Sequence, residues 1–194
     1  MASDTRDRLI RATSRLLRTQ GYAATGLNQV MAEAKAPKGS MYFHFPGGKE
    51  ELAAAALDHF AARSTARLRR TLAEHPTVAD AVAATLDGYV EHLGRTGYAE
   101  GCAVATVALD AAASHAALAD ATDRAMRAWT TTLAEALRAE GRSADDAERL
   151  ATLVIATLEG TLVMAKAQHS TRPIATARDA LRTLLAPEPA PADR

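Results

Sequence analysis

Pro37 and Pro46 leave only the eight residues 38–45 between them, and this spacing constrains the fold more than any other feature of the chain. Proline pushes the residue before it out of helical geometry and cannot sit inside a helix without breaking it. Any helix between the two is therefore short. Upstream, Leu27–Ala34 has room for another short helix before the break at Lys35-Ala36-Pro37; downstream, Pro46-Gly47-Gly48 is a turn signal. A longer segment, about Asp4–Gln20, precedes both, with Leu9, Ala12, Thr13, Leu16 and Leu17 recurring at helical spacing. Asp4 is placed to cap it, Gly21 to end it, and Thr25 to cap the helix that follows. An amphipathic helix followed by two short ones across a tight break is the layout of a helix-turn-helix, which offers its second short helix to a DNA major groove.

The rest of the chain also reads as helix. No window alternates apolar and polar residues as a strand would, and no repeat recurs at a fixed period. Further helices are expected over about 49–72, 77–95, 103–113, 114–140 and 144–169, and from near Pro173. Thr77 to Asp80 and Ser143 to Asp146 have the spacing of helix caps. The expected fold class is all-α, about nine helices in two domains. Residues 1–48 form a three-helix DNA-binding head, 49–186 a ligand-binding and dimerisation domain, and 187–194, with three of the chain's prolines, a disordered tail.

Composition restricts the function class. No run of 18 apolar residues marks a membrane span. The first eleven residues are charged and lack an apolar stretch, so export is not expected. Cys102 is the only cysteine, which excludes an intrachain disulfide and fits a reducing cytoplasm. Net charge is zero, but residues 1–49 hold eight basic residues against three acidic ones. A head of +5 on a body of −5 is the asymmetry expected of a DNA-binding end. Lys38, Ser40, Tyr42, His44 and Lys49 can donate hydrogen bonds to phosphate, and Gly39 lets the backbone approach another surface closely. Thr25 is a capping residue that could also meet a phosphate, and Phe43 either reaches a thymine methyl or packs.

The stretch Lys38-Gly39-Ser40-Met41-Tyr42-Phe43-His44-Phe45-Pro46, followed by Lys49-Glu50-Glu51-Leu52, resembles the TetR family of bacterial transcriptional repressors. The resemblance takes in the first helix with Gly21-Tyr22 and Thr25, and covers about the first 55 residues. The doubled glycine at 47–48, Ala36-Pro37-Lys38-Gly39-Ser40 and Gly101-Cys102-Ala103-Val104-Ala105-Thr106 are similar to the branch that holds lincomycin-resistance and flavonoid-responsive repressors. Two positions depart from the family pattern. Lys35 stands where glycine is frequent, and Pro37 where a Ser or Thr cap is frequent.

The resemblance implies a homodimer on a near-palindromic operator, released when a small, apolar or aromatic inducer enters a pocket enclosed by the fourth to seventh helices. Positions of aromatic, sulfur or polar character in apolar surroundings are the candidate lining: Phe60, Tyr89, His92, Leu93, Cys102, Thr106, Met126, Trp129 and Met164. The resemblance also implies that the last two helices make the dimer. Their apolar stripes, Leu150, Leu153, Val154, Leu158 and Leu162, then Ile174, Leu181 and Leu184, support this directly, since paired with their copies they would build a four-helix bundle. No two of the six histidines are spaced i, i+4, and no strained nucleophile turn accompanies a Ser, His and Asp set. No metal, cofactor or enzymatic activity is expected. An architectural DNA-binding dimer without a ligand, and a helical-bundle enzyme, remain as alternatives.

Overall fold

A computed structural model of the chain describes residues 2–37 and 39–186. Its helices are α1 (Ala2–Ala24), α2 (Leu27–Glu33), α3 (Ser40–His44), α4 (Gly48–Glu74), α5 (Val78–Thr96), α6 (Ala103–Asp110), α7 (Ala116–Ala139), α8 (Ala144–Gln168) and α9 (Arg172–Leu184). Among the described residues there is no strand. The chain divides into two compact units, Met1–Ala66 with Thr96–Ala128, and Arg67–Arg95 with Trp129–Arg194. This division differs from an expected boundary at residue 48: the first unit also holds α6 and the leading parts of α4 and α7. The expected tail, 187–194, lies outside the described residues.

In the first unit, α1 carries Leu9, Ile10, Ala12 and Leu16 against Val30 of α2 and Ala34 at its C-cap, Met41 of α3, Phe45 just past it, and Leu52 of α4. This buried cluster fixes the rotation of the two short helices, α2 and α3, against α1. Helix α1 kinks at Gly21 (φ 76°, ψ −175°), where the sequence places a helix end. Helix α6 packs along α1. The loop leading into α6 is fastened there by Arg18. Its guanidinium pairs with Glu100 at 2.9 Å, donates to the Gly101 carbonyl and lies over the Phe60 ring, while the Gly101 N–H donates to the Arg18 carbonyl. Helix α6 ends at Asp110, short of the expected 113, and a turn over 111–114 separates it from α7.

In the second unit, α8 and α9 pack on each other. The α8 face that carries Leu150, Val154, Leu158 and Leu162 is buried, as are Ile174, Ala177 and Leu181 of α9. Two ion pairs tie α9 to α5, Arg178 with Asp87 and Arg182 with Asp80, each at 2.8 Å. Both expected caps form. The Asp80 N–H donates to Thr77 Oγ1, whose hydroxyl donates back to the Asp80 carboxylate, and the Asp146 N–H donates to Ser143 Oγ. Among the described helices, α8 alone is long and apolar enough to cross a bilayer by length and composition. Its buried face is that of a core helix packed on α9.

Candidate nucleic-acid interface

Helix α3 is five residues long, and its rotation is set by what it buries. Met41 and, at the C-cap, Phe45 are inside the cluster. The opposite face therefore points outward, with Tyr42 61% and Phe43 77% exposed. The Phe43 ring meets the His44 ring edge-on at 5.0 Å. Gly39, at the N-cap, has φ −80° and open space where a Cβ would stand, so the chain's own fold does not demand glycine there. No side chain caps α3: its N-cap is Gly39, two residues beyond Pro37, where the family pattern places a Ser or Thr cap. Lys35 takes the left-handed backbone, φ 50°, that its place in the family pattern usually gives to glycine.

Other expected contacts are placed differently. Thr25 is 2% exposed, and its hydroxyl donates to the Gly21 carbonyl. It closes the kink of α1; the N-cap of α2 is Gly26, and Thr25 offers nothing to a phosphate. Ser40 Oγ donates to the Pro37 carbonyl at 2.7 Å, so its one hydrogen is already committed. The Lys49 ammonium sits 4.3 Å from the centre of the Tyr22 ring and 3.4 Å from the Ala23 carbonyl. Burial pushes the Lys49 ammonium below its usual value, while the Asp110 charge pulls it back up. Lys38 lies outside the described residues. The structure thus brings Gly39, Tyr42, Phe43 and His44 onto one short exposed element and withdraws Thr25 from it.

Two features of the head were not singled out in the sequence. Arg6 of α1 stacks over Phe45 at 5.2 Å, placing a cation at the end of α3. Asn28, Met31, Ala32, Lys35 and Ala36 line a shallow groove of about 430 Å³ beside the break after α2. The local charge excess hinted at the first; nothing local marks the second, because it depends on how α2 meets the turn.

The expected inducer-lining residues fall in both units. Phe60, Cys102, Thr106 and Met126 belong to the first, and Tyr89, His92, Leu93, Trp129 and Met164 to the second. Cys102, Leu93 and Trp129 are buried, and the Thr106 hydroxyl donates to the Cys102 carbonyl. Met164 is exposed on α8, which removes it from any enclosed lining. Among the described residues no three His, Cys, Asp or Glu side chains gather as a metal site.

The expected dimer residues also need revision. Leu150, Val154, Leu158, Leu162, Ile174 and Leu181 are buried within the chain and hold α8 and α9 in place, so they are not free surface. Leu153 and Leu184 are exposed, and Val163 and Met164 are exposed with them. Ala156, Gly160 and Ala167 lie on the same outer face of α8.

Comparison with known proteins agrees with this head and this helical body. Residues 9–56 match the family model for bacterial regulatory proteins of the tetR family, and residues 78–180 match the C-terminal domain of LmrA/YxaF-like transcriptional regulators. The HTH-type transcriptional regulator LmrA of Bacillus subtilis (strain 168) is 32% identical over 171 residues, which are 88% of this chain and 91% of that protein. The uncharacterized HTH-type regulator YxaF of the same organism is 29% identical over 88% of this chain and 90% of its own length. Among solved structures, a TetR transcriptional regulator from Chloroflexus aurantiacus J-10-FL superposes with a TM-score of 0.77 at 30% identity, covering 94% of each chain. An exposed short helix held on a three-helix core, followed by a body of LmrA/YxaF type, places this chain in the TetR family of bacterial transcriptional regulators.

Proposed function

We propose that the protein is a ligand-responsive repressor that binds a near-palindromic operator as a homodimer, in the cytoplasm, and is released by a small apolar or aromatic inducer. The observation that carries the reading is the exposed face of α3, with Tyr42 and Phe43 held outward by the burial of Met41 and Phe45. A short, convex, exposed helix fits a major groove, and a glycine at 39 that the fold itself does not need allows close approach to a phosphate backbone. The +5 head supplies the salt-dependent part of affinity.

The exposed apolar face of α8, with Leu184 of α9, supports pairing with a second copy. Two heads related by a two-fold axis would then read a two-fold operator. Release requires the inducer to favour one arrangement of the heads. Moving a population from mostly competent to mostly incompetent takes about 5.5 kcal/mol of differential affinity. Helix α4, which runs from Gly48 to Glu74 and carries Lys49 in its first turn, is the proposed carrier of that change.

A gel shift at physiological salt with duplexes from the region upstream of the chain's own coding sequence tests the reading. A retarded complex that contains two chains and dissociates with an aromatic compound is expected. Lys38→Ala should weaken binding to every duplex and flatten the dependence on salt. Wild-type protein that ignores all such duplexes, or a Lys38→Ala variant with unaltered affinity, refutes the assignment of the head. A complex that persists against every compound tried refutes the inducer and favours an architectural role.

A further inference from the structure

Base-specific recognition by hydrogen bonding uses a small set of side chains. Arg and Lys pair with guanine and Asn and Gln with adenine, each bidentately, on the major-groove edge. Helix α3 contains none of these: it is Ser40-Met41-Tyr42-Phe43-His44. Met41 is buried and the Ser40 hydrogen is given to Pro37. On α2, Gln29 is bonded to Gln20 of α1. The outward surface of α3 therefore consists mainly of two aromatic rings and an imidazole. Phe43 is the most exposed, with no polar atom to satisfy and no part in the buried cluster.

Phe43 and its neighbour Tyr42 put two large rings on the surface of a charged head, and an apolar group that covered Phe43 would gain by removing it from water. The major groove offers one apolar group, the C5-methyl of thymine, and phenylalanine is among the side chains that contact it. We infer that Phe43 reads the C5-methyl group of a thymine in each operator half-site, so that selectivity rests on apolar contact rather than on a bidentate hydrogen-bonded pair from α3. The edge-on contact with His44 favours one orientation of the Phe43 ring. This inference rests on the DNA-binding reading of the head.

The test uses full-length protein and the upstream duplex trimmed to its protected footprint. Each thymine is replaced in turn by uracil, which lacks only the methyl group. For the wild type, one thymine per half-site should matter, and its replacement should weaken binding about fourfold, the factor that one buried methyl contributes. Phe43→Ala should bind thymine and uracil duplexes equally, and Phe43→Leu should keep part of the preference for thymine. Indifference of the wild type to every uracil, or an undiminished thymine preference in Phe43→Ala, overturns the inference while leaving DNA binding intact. A Phe43→Ala chain that no longer folds overturns it too, since Phe43 would then be a packing residue. Failure of the wild type to bind any duplex ends this inference together with the reading it rests on.

Discussion

The carboxylate of Asp110, at the end of α6, accepts a 2.8 Å hydrogen bond from the backbone N–H of Ala23, just past the kink in α1. The kink makes the bond possible. Gly21 holds a left-handed φ of 76°, and a Cβ there would stand 2.9 Å from Asp110 Oδ2 and 3.4 Å from the Thr106 methyl. Asp110→Ala should destabilise the protein by about 1 kcal/mol, the lower range for a charge-assisted bond near solvent. Asp110→Asn, which keeps an acceptor, should lose less. Gly21→Ala adds left-handed strain of about 1–2 kcal/mol to the close contact. Because the two positions touch, the double variant should fall short of the sum of the single losses, as a cycle of urea melts would report. Simple additivity would mean that Asp110 swings clear of the added Cβ and that the two positions are not coupled.

His59 of α4 makes stability depend on pH in one direction. Burial holds its imidazole below its usual value. Arg63 on the same helix and Arg11 on α1 push the same way, and Asp7 of α1 opposes them. The unfolded chain therefore takes up a proton near the ordinary histidine value of about 6.5 while the folded chain still resists. Stability present above that pH should fall as the pH drops through 6.5 toward the folded value. Thermal melts at pH 7.5 and 5.5 should show a larger loss for the wild type than for His59→Gln. Equal losses would remove His59 from the account.

The parts of this architecture that were legible in the sequence are those that local chemistry decides. Pro37 and Pro46 break helices wherever they stand, and Thr77 with Asp80 or Ser143 with Asp146 cap through bonds spanning three residues. Thr25 misled because its position before a helix suits a cap, yet the kink at Gly21 turns a carbonyl toward its hydroxyl. Ser40 is a donor by type, and only the path of the chain at Pro37 shows that its hydrogen is taken. The last two helices expose the general limit. Helix α8 is apolar on more than one face, and periodicity does not say which face meets its own chain. Leu150 and Leu158 lie inward and Leu153 outward, a distinction fixed by α9.

Thr13 sits in the apolar stripe of α1, 2% exposed, and its hydroxyl oxygen is buried without a hydrogen-bond partner. A buried polar atom left unpaired is unfavourable by about 1–3 kcal/mol, whereas a methyl group of similar shape carries no such penalty. Valine and threonine have similar helix propensities, so the backbone should be indifferent to the exchange. Thr13→Val should raise stability by about 1 kcal/mol, a rise in Tm of about 2–4 °C for a protein of this size. A lower Tm would show that the hydroxyl finds a water or an alternative rotamer in solution.

Leu153 and Leu158 separate the surface of α8 from its core. Leu158 is 7% exposed and Leu153 47%. Leu158→Ala should act through packing, with about 2–5 kcal/mol lost as the cavity forms. It should leave the number of chains in the folded particle unchanged. Leu153→Glu removes no internal contact of the same kind and puts a charge on the face proposed to meet its own copy, where two-fold symmetry would bring up a second one. The variant should keep its helical circular dichroism, sediment as a single chain and lose operator affinity steeply, because one head alone reads half a site. A Leu153→Glu protein that still sediments as a pair would place the dimer contact on another face and detach the outer stripe of α8 from DNA binding.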